Sequence, residues 1–522
     1  MDHATPVRLA GRTLAGSLLL LAAAALVALL LLPSLMGQDR DGGIYATVAL
    51  TVYRGQTLYR DVWESKPPVT YYLNILAFSL FGVNRWALWG FEILYYWGTV
   101  LVFGWLLRML TGRDWLALVG AVLLLFQTHN TLLIIENAPE SYALLWQVVC
   151  LLAGFYFLRK PGYRAALAIG LSAGLAFLTK QNVIGVPLTL LPAILVLHKP
   201  LRNDLHTLAR YAGAMIAGGL LPLALTAAFF AAHGALDNAL DNIMVASPKM
   251  HAWFGEGSVP IWESLGSTLS TPLFLLPFVP LAPLAVWGIA RLRTAEQPAD
   301  RVFLLWATLA LGADLLLANI SNRTYGHYYL PLMPTFVLLG VFALARLTAP
   351  GNSTNPRVVF LVGIYVVVAA LWWVPFAALT RLEADDGDLT TTEKHVMTDY
   401  VVEHSAPDDR VLVWGLATAI NFQAKRLSPS RYTYAYPVVT PDYGDVEDFV
   451  AELEAAQPVL IVDTTVPDGL RVPPLDAARR AEWEAAGGRR DTENLELLYA
   501  FVAAHCTPEH EIDEMVVYRC RY

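Results

Sequence analysis

Asp39-Arg40-Asp41-Gly42-Gly43-Ile44-Tyr45, running on to Trp63-Glu64-Ser65-Lys66-Pro67-Pro68, is the stretch on which the reading of the whole chain turns. Between positions 39 and 68 it gathers four acids and four bases. It follows directly on an apolar run, Leu14 to Leu35, that is long enough to cross a bilayer. That run comes after Arg8 and Arg12 in the charge order of a signal peptide, but no small-residue cleavage site follows it, so it reads as a retained first helix. Charge set beside lipid is costly and marks a functional region by default.

The surrounding sequence is oily. Of 522 residues 56% are hydrophobic and only 15% charged, with a mean hydropathy of +0.47, where soluble domains carry about a quarter charged residues. The chain therefore reads as a polytopic membrane protein. The net charge of −8 comes largely from the C-terminal quarter, and nothing in its distribution points to a nucleic-acid partner. Of three cysteines, Cys150 lies in an apolar block, whereas Cys506 and Cys520 lie in the polar tail and can pair if that tail is extracytoplasmic.

Working outward, Val69 to Phe81 is apolar but short and reads as an interfacial or re-entrant helix. Spans follow near 86–107, 115–129, 141–158, 165–179, 183–197, 211–232, 271–289, 302–318, 328–344 and 358–379. With the first helix they make about eleven, or about thirteen if short segments also cross. Orientation follows from the basic residues. Arg108 and Arg113, Arg159 with Lys160 and Arg164, Lys199 with Arg202 and Arg210, Arg291 with Arg293 and Arg301, and Arg346 with Arg357 all fall on alternate connections. The opposite connections are acidic, with Glu136 and Glu140 in one and Asp237, Asp241, Glu256 and Glu263 in another. The positive-inside rule then puts the N-terminus in the cytoplasm and the 39–68 stretch and the tail outside. The long outer connection 234–270 contains Ser247-Pro248-Lys249-Met250-His251-Ala252-Trp253-Phe254, which suits either a solvated loop or a lid over an external site.

Beyond residue 383 the composition turns polar. Helices are expected over 391–404, 445–455, 477–486 and 493–503, and strands over 410–414, 458–463 and 515–518, which together make a small α/β domain. No glycine-rich phosphate loop, metal-spaced His/Cys cluster or nucleophile elbow occurs there. The expected division is a membrane unit over 1–382, with its first outer loop at 36–85, and an extracytoplasmic unit over 383–522.

On this topology Asp39, Asp41, Asp61, Glu64 and Lys66 from the first outer loop meet Glu136, Glu140 and Lys180 from the next two outer turns. Arg323, His327 and Tyr328 join them from a further one. A carboxylate that takes a proton from a hydroxyl, beside cations that hold a phosphate leaving group, is the equipment of a transfer reaction at a lipid phosphate. Each residue also has a plainer reading. Asp41 fits a helix cap as well as a base, Lys66 an interfacial snorkelling lysine, Glu140 a partner of a helix dipole, and Arg323 and His327 boundary anchors.

The motifs Arg40-Asp41-Gly42-Gly43-Ile44-Tyr45, Trp63-Glu64-Ser65-Lys66-Pro67-Pro68, Glu136-Asn137-Ala138-Pro139-Glu140, Thr179-Lys180-Gln181 and Arg323-Thr324-Tyr325-Gly326-His327-Tyr328 resemble, in order, those of GT-C membrane glycosyltransferases. The likeness is to the bacterial and archaeal branch related to protein O-mannosyltransferases and the lipid A aminoarabinose transferase. It implies a mainly α, polytopic GT-C fold and an inverting transfer of sugar from a polyprenyl-phosphate donor to an extracytoplasmic glycan, lipid or protein. Asp41 and Glu140 would be the catalytic acids, and Asp39, Lys66, Glu136, Arg323, His327 and Tyr328 would bind substrate. No cofactor is obligatory in this reading, though it leaves room for a divalent metal. Many relatives have a second acid directly after the first, where this chain has Gly42. The alternatives are a lipid or saccharide transporter or flippase, for which Asp314 and Glu92 within spans would speak, and a non-catalytic relative of the same fold.

Overall fold

The computed structural model describes residues 40–128, 137–253, 260–270, 281–295, 297–320, 325–349, 391–440, 445–465, 471–488, 494–512 and 514–522, with the single positions 16 and 364. The expected first span and the span at 358–379 lie outside these residues, as does most of the one at 271–289.

The membrane unit is a stack of helices: α1 (Arg40–Tyr53), α2 (Val69–Phe81), α3 (Arg85–Thr111), α4 (Asp114–Thr128), α5 (Pro139–Arg159), α6 (Tyr163–Thr179), α7 (Gly185–Leu197), α8 (Leu205–Ala232), α9 (Pro298–Ala318) and α10 (Met333–Leu347). Among the described residues five helical segments are long and apolar enough to cross a membrane: α3, α5, α8, α9, and the run Gly326–Leu347 that ends in α10. The chain is a multi-pass membrane protein.

Local sequence chemistry sets several of these boundaries. Asn84 caps α3 by accepting the Ala87 N–H at 3.0 Å, and Gly112, at φ 69°, ends it with its N–H on the Arg108 carbonyl. Pro139 opens α5, where its missing N–H costs nothing, and Glu140 follows in the first turn. Helices α6 and α8 approach closely through Gly170, Gly174 and Gly218, where a Cβ would run into the facing backbone. Small residues let helices pack by close van der Waals contact in lipid, where no hydrophobic force drives them together. That packing holds the end of α6, and hence Lys180, in place.

The outer connection expected as a loop or lid is helical over Leu236–Asp241 and Ser247–Trp253, joined by a π-helical turn, Asn242–Ala246. Ala239, Ala246 and Met250 are buried in one cluster with Phe230, while Leu240, Met244 and Val245 are exposed. Its residues thus sort by side as those of an amphipathic helix do.

The C-terminal unit contains α11 (Thr391–Glu403), β1 (Val411–Trp414), α12 (Ala419–Ala424), α13 (Val446–Ala456), β2 (Leu460–Asp463), α14 (Ala477–Ala485), α15 (Leu495–His505), β3 (Cys506–Ile512) and β4 (Met515–Cys520). The sheet runs in the order β1-β2-β4-β3. Strands β1 and β2 are parallel, and the other pairings are antiparallel. Cys506 and Cys520 face each other across β3 and β4 and are joined as a disulfide. Strand β3 and the short helix α12 carry no strong periodicity and were not expected from sequence.

Two hydrophobic clusters dominate. One fills the helix bundle from α3 to α10. The other joins Tyr45, Leu58, Val62, Trp63 and Tyr71 to Phe230 and Met250 and to Trp414, Tyr432, Tyr434 and Phe449 of the C-terminal unit. The charged stretch that opened the sequence reading is therefore built into the contact between the two units.

Candidate active site

Asp41 lies inside the first turn of α1 rather than ahead of it, and it is half-buried. One turn further along the same face is Tyr45, fully buried. Burial, and then the negative charges of Asp41, Glu140 and Glu64, push the Tyr45 phenol well above its ordinary range, so the ring presents a neutral hydroxyl. Lys66 sits over this ring, with Nζ 5.0 Å from its centroid, a cation–π contact. Its ammonium is also 3.8 Å from Oε1 of Glu64. Glu64 is fully buried, and the same oxygen accepts the backbone N–H of Ser65 at 2.8 Å. The carbonyl of Lys66 accepts the Tyr59 hydroxyl at 2.7 Å, which fixes the backbone ahead of Pro67-Pro68.

The second half of the site comes from the membrane helices. Glu140, only 1% exposed, forms an ion pair with Lys180 at 2.9 Å. Lys180 caps the end of α6, its backbone N–H on the Ala176 carbonyl, and its ammonium also lies 4.9 Å from the centre of the Tyr328 ring. His327 points Nε2 at Oε1 of Glu140 from 4.0 Å. Its ring stacks on Tyr325 and meets Tyr328 edge-on, with centroids 5.7 and 4.7 Å away. The charges of Glu140, Lys180, Asp41 and Lys66 all act on His327. One charged centre thus links α1, the loop before α2, the start of α5, the end of α6 and the turn that enters α10. Asn137 braces it: at φ 57° it donates from Nδ2 to the Gly42 carbonyl at 3.4 Å and accepts the Tyr142 hydroxyl on Oδ1 at 2.9 Å.

Of the residues singled out from sequence, Asp41, Lys66, Glu140, His327 and Tyr328 come together here, whereas Asp39, Glu136 and Arg323 lie outside the described residues. Asp61 does not join them. Arg60 binds it through both carboxylate oxygens at 2.8 Å and also donates to the His233 carbonyl at 2.7 Å. Lys180 joins them as the direct partner of Glu140. Tyr45 was missed altogether, although its spacing of four from Asp41 puts both on one helix face. Asp314 in α9 is tied to packing. A side chain on Gly185 would run into its carboxylate, and Gln147 reaches it from Nε2 at 3.4 Å.

Among the described residues no group of three or more His, Cys, Asp or Glu could hold a metal ion. The arrangement sets the half-buried carboxylate of Asp41 and the neutral Tyr45 phenol beside two ammonium groups, each next to a buried carboxylate, Glu64 at 3.8 Å and Glu140 at 2.9 Å, a set that offers a base to a hydroxyl nucleophile and cations to an anionic group.

Residues 65–236 match the family model described as dolichyl-phosphate-mannose-protein mannosyltransferase. That match takes in Lys66, Glu140 and Lys180. No curated protein matches the sequence. Among solved structures, ArnT from Cupriavidus metallidurans bound to undecaprenyl phosphate is similar at a TM-score of 0.61 and 16% identity, covering 96% of this chain and 97% of that one. The apo state of ArnT is similar at a TM-score of 0.60, with the same identity and coverage. The likeness is one of fold, and it extends through the C-terminal unit: the chain has the GT-C fold of membrane glycosyltransferases.

Proposed function

We propose that the chain is an integral membrane glycosyltransferase that moves a sugar from a polyprenyl-phosphate donor to the hydroxyl of an extracytoplasmic acceptor, with inversion. The observation that carries this reading is the meeting of Asp41, Lys66 and the Glu140–Lys180 pair around Tyr45 and His327. The mannosyltransferase family match over 65–236 and the likeness to an ArnT structure that holds undecaprenyl phosphate supply the substrate class.

In this reading the acceptor oxygen attacks the anomeric carbon in a single displacement. As the new bond forms, the anomeric carbon–phosphate oxygen bond breaks, and its electron pair leaves with the polyprenyl phosphate. The acceptor proton passes to the carboxylate of Asp41. Lys66 and Lys180 offset the charge that grows on the departing phosphate, and the neutral Tyr45 hydroxyl adds a donor. Glu140, already paired at 2.9 Å, keeps Lys180 aimed inward rather than serving as a free base. One displacement inverts the anomeric centre and needs no covalent enzyme intermediate. The active site and C-terminal unit lie on the extracytoplasmic side of a plasma membrane, and the disulfide between Cys506 and Cys520 supports that orientation because such bonds persist in oxidising compartments.

The test is to incubate purified protein with a panel of radiolabelled polyprenyl-phosphate sugars and mixed acceptors, beside the Asp41→Asn variant. Consumption of a donor by the wild type, with loss in the variant, supports the reading. A wild type inert toward every donor would overturn the transferase, and equal turnover by the variant would remove Asp41 from the mechanism.

A further inference from the structure

Helix α1 is gripped on two sides at its first turns. On one side Asn137, in the turn that leads to Glu140, donates to the Gly42 carbonyl. On the other side the C-terminal unit presses against it. A Cβ added at Gly43 would stand 2.8 Å from Cβ of Ala419 and 3.0 Å from its backbone nitrogen, closer than side-chain carbons pack. One turn on, the buried Thr47 hydroxyl donates to the Thr418 carbonyl at 2.7 Å across 371 residues of chain.

The neighbouring contacts run in the same sense. Phe422 of α12 stacks on Phe78 of α2, with centroids 5.5 Å apart. The Trp63 N–H donates to the Arg431 carbonyl at 2.8 Å, and the Trp63 ring meets Tyr434 edge-on at 5.9 Å. The gripping surface is itself braced. Asn421 donates from Nδ2 to the Val411 carbonyl at 2.8 Å and the Arg426 carbonyl at 3.2 Å, which ties α12 to the start of β1. Arg431 is held by Glu452, which accepts its backbone N–H at 2.9 Å, and by Asp448 at 3.2 Å.

We infer that the C-terminal unit positions the reacting carboxylate: Thr418 and Ala419, at the start of α12, set the place of the first turn of α1 and with it the distance from Asp41 to the Glu140–Lys180 pair. This rests on the reading of Asp41 given above. It gives the unit a task in the transfer. Gly43 is then glycine because Ala419 of α12 approaches there. A shift of α1 by about an ångström would misalign the base and cost on the order of a hundredfold in rate, while Lys66, on the loop before α2, would still hold the donor.

The experiment uses the full-length protein with the donor that the panel identifies. Gly43→Ala, which forces α1 away from α12, is expected to lower kcat at least tenfold with the donor KM changed less than threefold. Ala419→Gly in the same chain removes the nearest atom but leaves the backbone nitrogen 3.0 Å away, and is expected to recover part of that loss. Should Gly43→Ala not fold, Thr47→Val and Thr47→Ser carry the test, the valine variant losing kcat and the serine variant keeping it. Wild-type kcat in Gly43→Ala, or in Thr47→Val where the alanine variant does not fold, would overturn the inference. So would a double variant no better than the single one, or a loss that falls on KM alone. A wild type that transfers no sugar would instead overturn the transferase reading, which separates the two failures.

Discussion

In the proposed mechanism transfer depends most on Asp41, and the integrity of the site on Glu140. Asp41→Asn keeps shape and removes the base, so transfer is expected to fall about 10²–10⁴-fold with the thermal midpoint unchanged. Glu140 and Lys180 behave differently because the carboxylate is buried and its partner ammonium, partly buried, lies 2.9 Å away. Replacing Lys180 with Met leaves an unpaired buried carboxylate, and removal of one partner costs on the order of 3–5 kcal/mol. Glu140→Gln with Lys180→Met is expected to recover stability but not activity, as read by thermal unfolding beside transfer. Asp61 carries a pH signature. Its hydrogen bonds from Arg60 hold the carboxyl below its usual 3.8, so its contribution to stability is present at neutral pH and is lost as the pH falls through that lowered value. The gap in thermal midpoint between wild type and Asp61→Asn is therefore expected to close on acidification, and a gap that widens would refute the assignment. Asp41, Glu140 and Lys66 were legible in the sequence because charged residues near apolar spans are rare. Tyr45 was not, since an aromatic residue in an apolar helix is usually packing.

At the scale of elements, the spans and the strands β1 and β2 follow from composition and periodicity, and the observed ends of α5, α6 and α7 lie within two residues of expectation. Elements whose pattern is broken escaped. The π-helical turn Asn242–Ala246 and the helix after it occupy what reads as a polar connection, and β3, Cys506-Thr507-Pro508-Glu509-His510-Glu511-Ile512, has a proline and few apolar residues because it is the edge strand. Its bond to β4 compensates for that weak strand. The disulfide joins residues 14 apart, and closing a loop of that size is worth about 3 kcal/mol. Cys506→Ala with Cys520→Ala is expected to lower the midpoint of the C-terminal unit and to make it insensitive to reductant; an unchanged midpoint would show that edge pairing alone holds β3.

For the whole molecule the expected arrangement is an N-terminus in the cytoplasm and a site outside. Alkaline phosphatase fused after Tyr522 should be active in a bacterial host and inactive when fused after Lys160, and the reverse pattern would invert the topology. Transfer is expected to survive chelation by EDTA, and loss restored by a divalent cation would add a metal to the mechanism.

The sequence by itself determined that this is a multi-pass membrane protein, where its charges gather and which family of folds it resembles, because hydropathy, charge placement and short motifs are local properties of the chain. Only the tertiary structure decided that Lys180 belongs to Glu140 and that α12 closes on α1 at Gly43. Those two contacts join residues 40 and 376 positions apart. No periodicity encodes such pairings, since they arise from how closely glycine-lined helices can approach and from where the C-terminal unit comes to rest.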